Sequence, residues 1–159
     1  MRNVNLSQAQ KTGLVLLRLL IGWHFLYEGV IKLYNPSWTA RGYLLSAEFL
    51  KPVFVFLADD GLIGIVDSLN IGLLIIVGVM LMAGLKTSWA AIGGMLLLAL
   101  YYLAHPPFTG VSQGPAEGTY WIVNKNLIEL AALYVLYQFP TSTSFGVEAL
   151  FRKSKIETA

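Results

Sequence analysis

Four stretches of this chain are long and apolar enough to cross a lipid bilayer, and the rest of the sequence has to be fitted around them. A helix needs about 20 predominantly apolar residues to span the hydrocarbon core. The stretches run over about 14–34, 62–85, 88–104 and 122–139. The third is just long enough once its flanking residues are counted. The expected fold is therefore all-α, an integral membrane bundle of four transmembrane helices making one domain over residues 1–159. Composition agrees, with 56% apolar and 13% charged residues, where soluble proteins have about 45–50% and about 25%. A soluble fold of this size could not hide so much apolar surface and still carry the charge that keeps it dissolved.

Basic residues orient the spans. With the N-terminus inside, Arg2, Lys11, Lys86, Arg152, Lys153 and Lys155 fall on cytoplasmic segments, Lys86 in the tight turn 85–88. The two outer loops hold Arg41 and Lys51, with Lys32 and Lys125 near helix ends. The positive-inside rule thus favours both ends in the cytoplasm. Tyr34, Trp38, Trp89, Tyr101, Tyr102, Tyr120, Trp121 and Tyr137 lie at or near the span ends, where amphipathic rings prefer headgroups. Met1 to Lys11 is polar, and the first apolar run carries Arg18 and Glu28 with no small-residue cleavage site. It reads as a retained span rather than a signal peptide.

Between the first two spans, residues 41–59 mix Tyr43, Leu44, Leu45, Phe49, Leu50, Phe54 and Leu57 with Glu48, Lys51 and Pro52. A helical segment lying in the membrane interface and broken at Pro52 fits that pattern better than a fifth span. The outer loop 105–120 holds three of the six prolines and is expected to be irregular. The tail 140–159 is cytoplasmic, with a short amphipathic piece around 145–151.

An ionisable side chain in hydrocarbon costs several kcal/mol and needs a partner, a cavity or a route to the surface, by about +2.5–3.5 kcal/mol on insertion scales. The first span holds Arg18, His24, Glu28 and Lys32, which fall within an arc of about 120° at about 100° per residue. His24, Glu28 and Lys32 are successive (i, i+4) neighbours. The second span adds Asp67 and Asn70, the fourth Asn124, Lys125, Asn126 and Glu129, and His105 ends the third. Apart from Arg18, all lie from mid-membrane outward. They balance as Arg18, Lys32 and Lys125 against Glu28, Asp67 and Glu129. The expectation is an outward-opening polar cluster between the first, second and fourth spans, the third serving for packing. The plainer reading is that paired charges staple the helices together and that Lys32 and Lys125 snorkel to the surface.

Other chemistries find little footing. Net charge is only +2 with no dense basic stripe, which leaves nucleic acid without a surface. Cysteine is absent, so the chain carries no thiolate metal site or iron–sulfur cluster. His24 and His105 lie at different depths, so no haem is expected. The paired Glu-x-x-His of a di-metal bundle is missing, and no metal site is expected.

The run LLRLLIGWHFLYEGVIKL, with Arg18, Gly22, Gly29 and Lys32, resembles the opening helix of the DoxX-like membrane proteins. DSLNIGLLIIVGVMLMAGLKTSWAAIGG is similar to that family's second helix and its turn into the third, and NKNLIELAALYVL fits the fourth. Asp67 through Gly72 looks closest to the DoxD branch, the membrane subunit of thiosulfate:quinone oxidoreductases. Many family members carry a glutamate in the second helix, where this chain has none. The resemblance implies a four-helix bundle in a bacterial or archaeal cytoplasmic membrane, tied to quinone-linked redox chemistry or partner oxidoreductases.

The resulting expectation is an oxidoreductase subunit that binds a quinone, quinol or similar small ligand in its outward polar cluster. His24, Glu28, Asp67 and Glu129 are the candidate catalytic, proton-carrying residues. Arg18, Trp23, Tyr27, Lys32, Asn70 and Asn126 are the candidate ligand-binding residues. With no redox metal in view, electrons must come from a partner subunit or an external substrate. The rival expectation is a non-catalytic scaffold that assembles partner proteins or copies of itself, and a third is a small-molecule transporter.

Overall fold

The computed structural model describes residues 6–108, 121–142 and 145–150, and among these every regular element is a helix. The first, α1 (Gln8–Tyr34), opens on a capping box: Ser7 Oγ accepts from Gln10 N at 3.3 Å and Gln10 Oε1 from Ser7 N at 2.8 Å. It ends where Pro36 pushes Asn35 into extended geometry. Two short helices follow, α2 (Arg41–Leu45) and α3 (Lys51–Leu57), then α4 (Ile63–Ala83), α5 (Thr87–Ala104) and α6 (Lys125–Gln138). Gly84, left-handed at φ 66°, closes α4 in a Schellman pattern, with Gly84 N donating to Leu81 O and Leu85 N to Met80 O.

Three of these helices, α1, α4 and α5, are long and apolar enough to cross a membrane. Only 28%, 22% and 39% of their most apolar windows is buried, so most of that surface (Leu16, Leu20, Leu69, Ile76 and Leu96 among it) faces outward. Exposed apolar area on this scale suits lipid rather than water. The fourth expected span is shorter than the stretch 122–139. Asn124 Oδ1 accepts from Leu127 N at 3.0 Å and starts the helix only at Lys125. At 14 residues α6 is about 21 Å long, short of a hydrocarbon core of about 30 Å.

The long helices run antiparallel, α1 against α4, α4 against α5, α5 against α6, with α6 closing back on α1. Small residues set the approach. A Cβ at Gly78 would stand 2.5 Å from Leu26 N, and one at Gly29 2.7 Å from Ile75 Cγ1, so α1 and α4 touch nearly backbone to backbone. Between α5 and α6, Gly94 instead makes room for a side chain, Leu133 Cδ1 lying 2.7 Å from where a Cβ would stand. Phe25, Leu74, Val77, Leu81, Leu97, Leu98, Leu133 and Leu136 fill the space between.

The expected interfacial segment 41–59 is two helices rather than one, and the break precedes Pro52. Leu50 is left-handed at φ 51°, and Pro52 sits in the first turn of α3, where a missing N–H costs nothing. Leu44, Ala47, Phe54 and Ala58 build a second core with Ala40 and Ala104, so α2 and α3 form a cap on the bundle end. Glu48 N donates to Ala104 O at 3.0 Å, and Tyr43 OH to Tyr101 O at 2.9 Å. At the opposite end, residues 145–150 fold against the α4–α5 turn, Glu148 N donating to Gly84 O and Lys86 N to Glu148 Oε2. Arg18 Nη1 donates to Thr141 Oγ1 at 3.0 Å and to Phe145 O at 2.7 Å. Residues 1–5, 109–120, 143–144 and 151–159, and with them most of the expected irregular outer loop and the end of the tail, lie outside the described residues.

Candidate functional site

A cavity of about 910 Å³ lies between the cap and the bundle, within the size range of about 300–1,000 Å³ for small-molecule sites. Its base is apolar, made by Phe25, Leu74, Leu97 and Leu98 from three helices. Its rim is polar, and each wall has its own chemistry.

On the α1 wall, the (i, i+4) ladder places His24, Glu28 and Lys32 on one face, and all three line the cavity. Lys32 Nζ pairs with Glu28 Oε2 and also lies 5.6 Å from the ring centre of Trp38. His24 turns towards α6, where its Nδ1–H donates to Glu129 Oε1 at 2.7 Å. Glu129 is not among the residues lining the cavity and is joined to it through that ring. Asn124, Lys125 and Asn126, at the start of α6, complete this side.

The facing wall comes from α4 and α5. Asn70 Nδ2 donates to Tyr101 OH at 2.7 Å, which leaves the phenolic O–H to donate in turn. Tyr101 sits one turn before His105, whose Nε2–H donates to Tyr43 O at 3.0 Å and whose ring meets that of Tyr43 at 4.4 Å. The roof is Trp38, Thr39, Ala40, Tyr43, Leu44 and Phe54.

Of the expected site residues, His24, Glu28, Lys32, Asn70 and Asn126 line this cavity and Glu129 stands behind His24. The other four do not line it. Asp67 Oδ1 accepts from Ala40 N at 2.8 Å, so its carboxylate holds the strap leading into the cap. Arg18 is buried at the far end of α1 and clasps Thr141 and Phe145. Trp23 and Tyr27 stack on each other at 6.0 Å and are 57% and 52% exposed, on the outward face of α1. They suit lipid contact, not a ligand slot in the bundle.

The third span and the cap contribute more than expected. Tyr101 lines the cavity beside Asn70, to which its hydroxyl is bonded, and Tyr43 and Trp38 roof it. The spacing of Tyr101 and His105, one helical turn apart, is the sequence signal for α5. Nothing comparable marks Tyr43, because its place depends on how the cap folds back. Among the described residues no group of three His, Asp or Glu side chains is placed to hold a metal ion.

No family model matches the chain, and neither curated proteins nor solved structures match it.

Proposed function

We propose that this is a DoxX-like membrane subunit associated with quinone-linked oxidoreductase chemistry, and that its cavity binds a quinone or quinol head group. The observation that carries this reading is the cavity's layout, an apolar base with polar groups on opposite walls. A quinone ring wants an apolar slot and a donor at each of two carbonyl oxygens. Tyr101 OH supplies one such donor, and the Lys32 ammonium, or Nε2–H of His24 in its protonated form, the second. The His24–Glu129 and Glu28–Lys32 pairs supply groups that exchange protons as the ring is reduced or oxidised. Electrons come from a partner protein or external substrate. We place the chain in a bacterial or archaeal cytoplasmic membrane, with α6 and its flanks as a fourth crossing, the ends inside and the cavity at the outer side. Purification in mild detergent tests the reading. Quinone in the organic extract and a melting temperature raised by added quinone are expected. Absence of both overturns it.

A scaffold reading draws on a different observation. Phe49, Val53 and Phe56 leave an apolar surface on the outside of the cap, 49%, 53% and 67% exposed. A subunit that only assembles partners would keep them after Glu28→Gln and lose them after Phe56→Asp, whereas the quinone reading predicts that Glu28→Gln impairs turnover.

A further inference from the structure

A second cavity, of about 330 Å³, lies in the seam between α1 and α6. Leu17, Ile21, Ile128 and Ala132 make it almost wholly apolar, and His24, Lys125 and Glu129 border it. His24 and Lys125 also line the large cavity, so the two spaces meet at the His24–Glu129 pair. From His24 the groove follows α1 to Leu17, seven residues or about 10 Å along the axis. Leu20 and Ile128 beside it are 60% and 59% exposed on apolar helix surface. The seam differs from the α1–α4 contact, where glycines bring the backbones together. A chamber with a polar rim and an apolar slot thus lie on either side of one ion pair and share His24 and Lys125, and an amphiphile has that arrangement: a polar head on a hydrocarbon chain.

We propose that the α1–α6 groove receives the hydrocarbon tail of the ligand whose head group occupies the large cavity, making the ligand class a tailed, membrane-soluble quinone. This rests on the quinone reading above. The chain leaves the bundle sideways, passing beneath the His24–Glu129 pair, and continues among the lipid tails. Head-group recognition and tail recognition then belong to different helices and separate under mutation.

The test uses the full chain in phosphatidylcholine nanodiscs with two probes, a tail-less benzoquinone and the same head bearing a decyl chain. Ala132→Phe fills the groove from inside, and Ile128→Trp crowds it from the exposed side. Each variant is compared with the wild type in identical lipid, so that partition of the decyl probe cancels. The expected result is a loss of about tenfold in decyl-quinone affinity in both variants, with tail-less affinity within twofold of wild type. Unchanged decyl affinity in both variants, with melting temperatures near wild type, overturns the tail groove and leaves it to a bilayer acyl chain. An equal loss for both probes overturns it as well, since the groove then has no tail-specific role. Failure of both probes to bind the wild type overturns the quinone reading itself.

Discussion

His24 on α1 and Glu129 on α6 are joined by a 2.7 Å hydrogen bond that stands between two cavities. The bond crosses from the first long helix to the last, so it closes the ring of helices at the point where a ligand would be held. Measured interhelical polar bonds in membranes average about 0.6 kcal/mol and reach about 1.7. The His24 side chain is 37% exposed and Glu129 only 12%, which places this pair near the middle of that range. A double-mutant cycle of His24→Ala and Glu129→Ala should therefore give a coupling of about 1 kcal/mol in reversible unfolding from detergent. Strictly additive single-mutant effects would show that the pair does not hold the seam.

The glycines of α4 differ in what surrounds them, and that difference predicts opposite signs. Gly78→Ala places a methyl group 2.5 Å from Leu26 N, against backbone that cannot step aside. It should cost about 2–3 kcal/mol, as overpacked cores do. Gly72, with nothing within 4 Å of a built Cβ, gains from the same change. Alanine there should stabilise by about 0.5–1 kcal/mol through backbone entropy. Melting curves of the two variants in one detergent decide the matter, and a loss at both positions would sink the contrast.

The parts of this molecule legible in the sequence are those that depend on composition and on neighbours along one helix. The apolar stretches located α1, α4 and α5 within a few residues, apart from the polar first turns of α1. The (i, i+4) ladder of His24, Glu28 and Lys32 does share a face and a cavity wall. What spacing cannot show is the partner across a helix interface. Glu129 lies one turn from Lys125 along its own helix, yet its bond is to His24 on another. Asp67 reads as an intramembrane acid, but the neighbouring strap presents Ala40 N and takes it as a capping group. Arg18 shares the polar arc by angle and is separated from His24 by six residues, about 9 Å along the axis. The roof is the least legible part, because a seven-residue helix such as α3 gains its place from Phe54 packing in the second core rather than from its own pattern.

Arg18 offers a prediction in which two measurements should diverge. Its Nη1 holds Thr141 and Phe145, while its Nε is buried without a partner. Replacing it by methionine removes two charge-assisted bonds, worth about 1.5–3 kcal/mol each, but also relieves a buried, incompletely bonded cation. Arg18→Met should thus shift the melting temperature little and loosen the chain at Thr141 and Phe145 strongly. Chymotryptic cleavage after Phe145 should rise several-fold. An unchanged cleavage rate would mean that the segment is held by Gly84 and Glu148 instead, through Glu148 N to Gly84 O and Lys86 N to Glu148 Oε2.

Tyr101 and Tyr27 make a matched pair for testing the site, since both are tyrosines of spanning helices and only one lines the cavity. Tyr101 OH accepts from Asn70 at 2.7 Å and keeps its own proton to give, so Tyr101→Phe removes a ligand donor and orphans the Asn70 amide together. Loss of one such bond corresponds to about 1–1.5 kcal/mol, or about tenfold in affinity. Quinone binding should weaken by about that factor in Tyr101→Phe. Stability should fall by about 1 kcal/mol, because Asn70 Oδ1 is already buried without a partner and the amide has little left to lean on. Tyr27, 52% exposed and stacked on Trp23, should tolerate phenylalanine with affinity and melting temperature unchanged. Equal effects at both positions would mean that the ligand is not held in this cavity by Tyr101. An effect confined to Tyr101 is the outcome that the proposed quinone site predicts.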